Sequence, residues 1–157
     1  IELDIGGLEL DTGGFISSSS NFTEDGGAAG PISITAKDFV SLQNNSSIVT
    51  SSKGQGDAAD ISLESPELYL NDESLISSSS NSEGKGGNAG TIELKIGNLE
   101  LNTESVVSSI SRSQAGGGHA GEIVIDAADS VRLSGKSALS TDAGDTGGGQ
   151  ISVNARK

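Results

Sequence analysis

A phrase of about thirty residues recurs along this chain. A chain built that way folds as a stack of near-identical units. The clearest copy is Gly87-Asn88-Ala89-Gly90-Thr91-Ile92-Glu93-Leu94-Lys95-Ile96, a small-residue bend running into an alternating apolar strand. Variants are Ala29-Gly30-Pro31-Ile32-Ser33-Ile34, Ala59-Asp60-Ile61-Ser62-Leu63, Ala120-Gly121-Glu122-Ile123-Val124-Ile125 and Gly148-Gly149-Gln150-Ile151-Ser152-Val153. Ile1-Glu2-Leu3-Asp4-Ile5 is the same strand without its bend. Aligned on the first strand isoleucine, repeats start at Ile1, Ile32, Ile61, Ile92, Ile123 and Ile151, at intervals of 31, 29, 31, 31 and 28 residues.

Each repeat carries three apolar beats. The first alternates apolar and polar residues, as in Ile92/Leu94/Ile96 and Ile123/Ile125/Ala127. Period two is the mark of a β-strand with one buried face. The second beat follows seven or eight residues after the start, at Leu8/Leu10, Val40/Leu42, Leu68/Leu70, Leu99/Leu101 and Val131/Leu133. The repeats from Ile32 and Ile123 have one extra residue before it, which predicts a bend with a one-residue insertion. The third beat is one large apolar residue, Ile16, Ile48, Ile76, Val107 or Leu139. Small residues, mostly Ser and Thr, stand two positions to either side. If the apolar residue points inward, so do they. The spacing therefore predicts ladders of buried hydroxyls beside an aliphatic ladder. Glycine-rich bends close each repeat, and they suggest sharp turns with positive φ.

No 3.6-residue apolar stripe appears, so the repeat is not helical. Propeller blades need four strands and about 40 residues or more. Apolar residues are only 32% and aromatics 3% of the 157. That is too lean for a thick globular core, yet it suits a solenoid one or two side chains across. The expected fold is all-β: a right-handed parallel β-helix of about five coils of 28–31 residues, with three short strands per coil. The right hand follows the usual crossover preference. Five coils at about 4.8 Å each make a rod roughly 24 Å long. Residues 1–157 read as a single segment, uncapped at both ends, with β edges open to another chain. There is no initiator Met and no signal peptide, which reads as a mature piece or excised fragment of something longer.

Gly-Asn-Ala-Gly-Thr-Ile-Glu-Leu, an apolar pair, Ser-x-Ile/Val-x-Ser/Thr and a glycine-rich bend resemble the repeats of large exoproteins of the filamentous-haemagglutinin type. Those proteins leave bacteria by two-partner secretion. Residues 87–111 and 117–141 match best, and the resemblance extends over the whole chain. It implies a right-handed parallel β-helix, and a secreted, extracellular adhesin at a bacterial cell surface or a stalk carrying a tip domain.

Candidate chemistry is sparse. The formal charge is -13, with acids spread along the chain. Nucleic acid is not expected as a partner, because phosphate binding needs clustered Lys and Arg. Cysteine is absent, so neither disulfides nor thiolate metal sites exist. No run approaches the roughly 18 apolar residues of a membrane span, so membrane insertion is not expected. His119, the single histidine, lies in a Gly-rich bend without a partner and reads as an exposed residue. The fourth position of the first beat holds Asp4, Thr35, Glu64, Lys95, Asp126 and Asn154. No two acids stack directly there, which argues against the clustered carboxylates of a polysaccharide-cleaving β-helix enzyme. No catalytic, cofactor-binding or metal residue is assigned. The one ion considered is calcium, held weakly at Asp25, Asp57, Asp60 or Asp145 in the bends. The glycine-rich bends lack the period and aspartates of calcium-binding nonapeptides. Ser17–Ser20, Ser77–Ser80 and Ser108–Ser109 with Ser111 read first as inward polar ladders and tolerant surface serines; glycan or ordered-water binding is the alternative, and a regular Thr-x-Thr array for ice is missing. Glycosylation spellings at Asn21, Asn44 and Asn45 are set aside, since the resemblance implies a bacterial source. The expected partners are therefore further copies stacked end to end, or glycans and proteins of host or other cell surfaces. The function expected is a stiff stalk or fibre subunit, not an enzyme. The alternative is a carbohydrate-binding surface on the same solenoid, and polysaccharide cleavage is the third.

Overall fold

A computed structural model describes residues 1–22, 26–82, 84–113, 116–144 and 146–156. Eleven β-strands and no helix occur among them. Strands β1 (Glu2–Leu10), β3 (Ile32–Leu42), β5 (Ile61–Leu70), β7 (Ile92–Leu101), β9 (Ile123–Leu133) and β11 (Ile151–Ala155) form one parallel sheet in that order. Strands β2 (Phe15–Ser20), β4 (Ser47–Ser52), β6 (Leu75–Ser82), β8 (Val106–Ser113) and β10 (Ala138–Ala143) form the second. Each strand pairs with its equivalent one coil away. The chain is thus a β-solenoid of about five turns plus the opening strand of a sixth.

The expected starts hold to the residue: Ile32, Ile61, Ile92, Ile123 and Ile151 stand directly over one another. The division within a coil differs from expectation. The first and second beats run together as one strand, so a coil has two strands where three were expected. The expected bend survives as a register shift, for example where Ile5 and Gly7 face Ala36 and Phe39. The same shift recurs between Ile96 and Asn98. A one-residue bulge turns the strand while leaving the ladder continuous, which is why the two beats do not separate.

The core is a set of aliphatic columns between the two sheets. Ile32, Ile61, Ile92 and Ile123 are fully buried, as are Ile48, Ile76 and Val107 from the opposite sheet. Terminal coils have a neighbour on one side, so the inward residues Ile151 and Val153 are exposed. Buried hydroxyl ladders accompany the columns, as the spacing predicts: Thr50, Ser78 and Ser109 are fully buried.

These hydroxyls hold the glycine-rich bend to the sheet. The Ser78 hydroxyl donates to the Ala59 carbonyl (3.0 Å) and accepts from the Gly90 amide (2.8 Å). Ser109 repeats this one coil on, donating to Gly90 (2.9 Å) and accepting from Gly121 (2.8 Å). One side chain thereby joins its own bend to the bend of the coil before. Ser109→Ala should strand a buried carbonyl and a half-buried amide, at a cost of about 2 kcal/mol. The outward Ser79→Ala should change stability by less than about 0.5 kcal/mol. Urea midpoints of the two variants check this.

Bend glycines do two jobs. Gly116 and Gly147 have positive φ, as expected, whereas Gly87, Gly90, Gly118 and Gly121 have ordinary φ. A Cβ on Gly87 would overlap the Gly56 carbonyl, and one on Gly118 would overlap that of Gly87. Gly90 and Gly121 face Ala59 and Gly90 in the same way. Glycine stands there because backbone lies on backbone.

The turn joining the two sheets is left-handed at two successive residues. Asn44-Asn45, Asp72-Glu73 and Thr103-Glu104 all have φ between 50° and 63°. In this conformation each coil's amide reaches a carbonyl of the next: Asn45 bonds Asp72, and Glu73 bonds Thr103, both at 2.8 Å. These stacked bonds offset the cost of left-handed backbone at non-glycine residues.

Candidate functional site

Two surfaces carry the chain's exposed polar groups in ordered columns. The first is a groove of about 630 Å³ along the bulged corner of the six-stranded sheet. The bulge makes the corner concave, and small residues keep it open: Pro66, Gly97 and Ala128 lie along it. Its other side is the fourth-position column, in which Glu64, Lys95, Asp126 and Asn154 are successive neighbours. Lys37 and Arg156 stand at the two ends of the groove lining.

Lys95 offsets part of the column's negative charge. Lys95 lies 3.1 Å from Glu93. Its pKa is raised, chiefly by that hydrogen bond and the charge of Glu93, with Glu64 and Asp126 adding to it. Asn154 donates to Asp126 at 3.0 Å. Glu64 and Asp126 are both exposed. A general-acid carboxyl needs an apolar pocket that keeps its proton on. Neither exposed carboxylate has such a pocket, and the ion pair of Lys95 is with Glu93, outside the column. As expected from the sequence, no two acids are direct neighbours in it.

A second charged cluster lies on the same sheet. Glu67 accepts from the Tyr69 hydroxyl at 2.8 Å and from Asn98 at 3.0 Å, and Asn98 accepts from Ser130 at 2.7 Å. The hydrogen bond to Glu67 raises the Tyr69 pKa above 10.0, helped by burial and the charges of Glu67 and Glu100. Tyr69 is the single tyrosine, so tyrosinate absorbance reads this group alone. Glu67→Gln should bring its titration midpoint down toward 10.0.

The second surface is the outer face of the five-stranded sheet. Its strands pair without any register shift, over six positions between β2 and β4. The outward positions form three columns, beginning at Phe15, Ser17 and Ser19. Serine hydroxyls bond across this face: Ser17 with Ser19 at 2.8 Å, Ser51 to Ser19 at 3.0 Å and Ser108 to Ser77 at 3.1 Å. The serine runs thus divide: Ser18, Ser78, Ser109 and Ser111 point inward and bond the bends, whereas Ser17, Ser19, Ser77, Ser79 and Ser108 point outward, Ser77 and Ser108 being buried there.

The remaining sequence candidates lie in the bends. His119 is exposed, and its backbone amide donates to the Asn88 side chain at 2.8 Å. Asn88 in turn donates its amide to Asp57 at 2.6 Å, and Thr91 donates to Asp60 at 2.7 Å. Asp57 and Asp60 are therefore acceptors for the backbone of the following coil. That role was not foreseen, although Asp57, Asn88 and His119 stand at a constant spacing of 31 residues. Asp25 and Asp145 lie outside the described residues. Among the described residues, no three His, Cys, Asp or Glu side chains gather as they would around a metal ion. Asp11, on the left-handed turn, has its pKa lowered by hydrogen bonds from Asn44 and the Thr12 amide.

Comparison with family models, with curated proteins and with solved structures finds no match.

Proposed function

We propose that this chain is a stiff structural segment of a secreted, cell-surface adhesive protein, similar to the β-helical repeats of filamentous-haemagglutinin-type exoproteins and wound right-handed like them. One observation supports the mechanical part: among the described residues, successive coils are joined along both sheets, at the bends and at the left-handed turns. Backbone ladders run along both sheets. The bends are bonded as well, with Ala58 donating to Asn88 and Ala89 to His119, each at 2.9 Å. The left-handed turns add their own column of 2.8 Å bonds. Such a stack resists bending because each coil is held at several places around its circumference. The adhesive part rests on the repeat phrase itself, and the bacterial, extracellular location rests on the same resemblance.

Antibody labelling of intact, unpermeabilised cells that make the protein tests the location. Surface labelling supports the reading, and labelling only after lysis overturns it. Light scattering over a wide concentration range, with electron microscopy of the same samples, separates the two mechanical forms. Particles that lengthen with concentration at one-chain width mean end-to-end stacking. A constant single-chain mass means a spacer.

A further inference from the structure

We propose that the outer face of the five-stranded sheet binds a neutral, β-linked polysaccharide laid across its coils. The inference gives the adhesive reading a ligand class and a place.

The argument begins with charge. Lys, Arg, Asp and Glu are 20% of the chain, and the net charge is -13. The outer face of the six-stranded sheet has its share, with Glu2, Asp4, Glu64, Glu93 and Asp126 among its outward residues. The five-stranded sheet has three outward columns of five residues. They run Phe15-Ser47-Leu75-Val106-Ala138, Ser17-Val49-Ser77-Ser108-Ser140 and Ser19-Ser51-Ser79-Ile110-Asp142. Asp142 is the single charge among these fifteen positions. Arg112, the next outward residue of β8, lies 3.7 Å from Asp142, so charge is confined to one corner of the face and the rest has none to desolvate on contact with a neutral ligand.

Shape narrows the ligand further. The face has no bulge, and its side chains are mostly short, so no small-molecule pocket forms. An extended ligand is what fits. One column is mostly apolar, and the column beside it is mostly hydroxyl. A pyranose presents the same pair of surfaces, C–H on its faces and O–H at its edges. Ser51 and Ser19, both accessible, already bond each other between coils, whereas Ser77 and Ser108 are buried and bond each other. Fixed donors lose less freedom on binding. Coils repeat about every 4.8 Å, close to the length of one sugar unit in an extended β-linked chain.

A second copy of this chain is the weaker occupant. Five rungs about 4.8 Å apart and six residues of about 3.3 Å make a face of roughly 400 Å². Two copies would bury about 800 Å², short of the roughly 1,200 Å² of a stable interface.

The test is retention of the purified chain on microcrystalline cellulose and on chitin, with heparin–agarose as the anionic control, at low and at high salt. Retention on either neutral polymer, unchanged by salt and absent on heparin, is expected. Ser51→Glu/Ser79→Glu places two charges on the face and should weaken retention by about tenfold or more, a loss of about 1.4 kcal/mol. Ser33→Glu/Ser62→Glu, outward on the opposite sheet, should leave it unchanged. Circular dichroism confirms that each variant is folded. If the first pair does not fold, Ser17→Glu on the exposed first strand makes the same test. No retention on either neutral polymer overturns the proposal. So does retention reversed by salt, or equal loss in both pairs of variants. A concentration-dependent dimer abolished by Ser51→Glu/Ser79→Glu, without retention, overturns it in favour of a second copy. None of these results moves the surface labelling of intact cells, so the two readings fail separately.

Discussion

Leu94→Asp abolishes cooperative folding of the chain. Leu94 is fully buried, with Leu63 on one side and Ile125 on the other in the same column. Truncating such a residue costs about 2–5 kcal/mol through lost transfer energy and the cavity left behind. A carboxylate in the aliphatic column adds an unpaired buried charge, worth several kcal/mol more. The sum reaches the roughly 5–15 kcal/mol that stabilises a typical domain. Thermal melting followed by circular dichroism should show no sigmoidal transition. Glu93→Gln, one residue away and pointing outward, should melt within about 0.5 kcal/mol of the parent. A Leu94→Asp chain that melts with the parent would mean that the inward phase of β7 is misassigned.

The second large effect comes from the smallest possible substitution. Gly118→Ala adds one methyl group, which would overlap the carbonyl of Gly87 and press on the amide of Asn88. Neither is a side-chain tip that can swing aside. Both belong to the backbone of the coil before, so the coils must part locally. Overpacking of this kind costs about 1–3 kcal/mol where side chains can shift, and backbone contact places this case at the upper end. Gly144→Ala is the matched control: a Cβ there meets nothing within 4 Å and φ is not positive. Its stability should hold or rise slightly, because alanine restricts the unfolded chain. Midpoints of chemical unfolding separate the two, and equal midpoints would refute the close approach of the coils at Gly118.

Much of this architecture is legible in the residues. Period two places Ile92, Leu94 and Ile96 on one face without any tertiary information. The interval of about 31 then sets Leu94 beside Leu63 and Ile125, because equivalent positions in a solenoid are spatial neighbours. The buried hydroxyls at Thr50, Ser78 and Ser109 follow from the same phase. What escapes is whatever depends on contact between bends. Glycine at 87 and 118 reads equally well as a turn former or as a spacer, and only the distance between coils decides. Asp57 and Asp60 look like free acids until the next coil's amides are placed over them. The neutral outer face also escapes, because its fifteen residues are drawn from five short runs some thirty residues apart. The merging of two beats into one strand is hidden for another reason: a bulge and a chain break look alike when a single residue is inserted.

The bonds of this molecule are sorted by direction. Covalent backbone winds around the axis, whereas the backbone hydrogen bonds that join coils run along it. Tension along the axis would therefore meet only the weaker set, and a coil held on one side only would be the first to peel. Each peeled coil would release about 30 residues, or about 100 Å of extended chain, in place of a rise of about 4.8 Å. A tether made of such coils would yield in steps and lengthen about twentyfold while its covalent chain stayed whole. Coils not yet peeled would keep their shape, because each depends on its immediate neighbours alone. Under load the rod becomes a spool, and an attachment that would otherwise snap acquires slack.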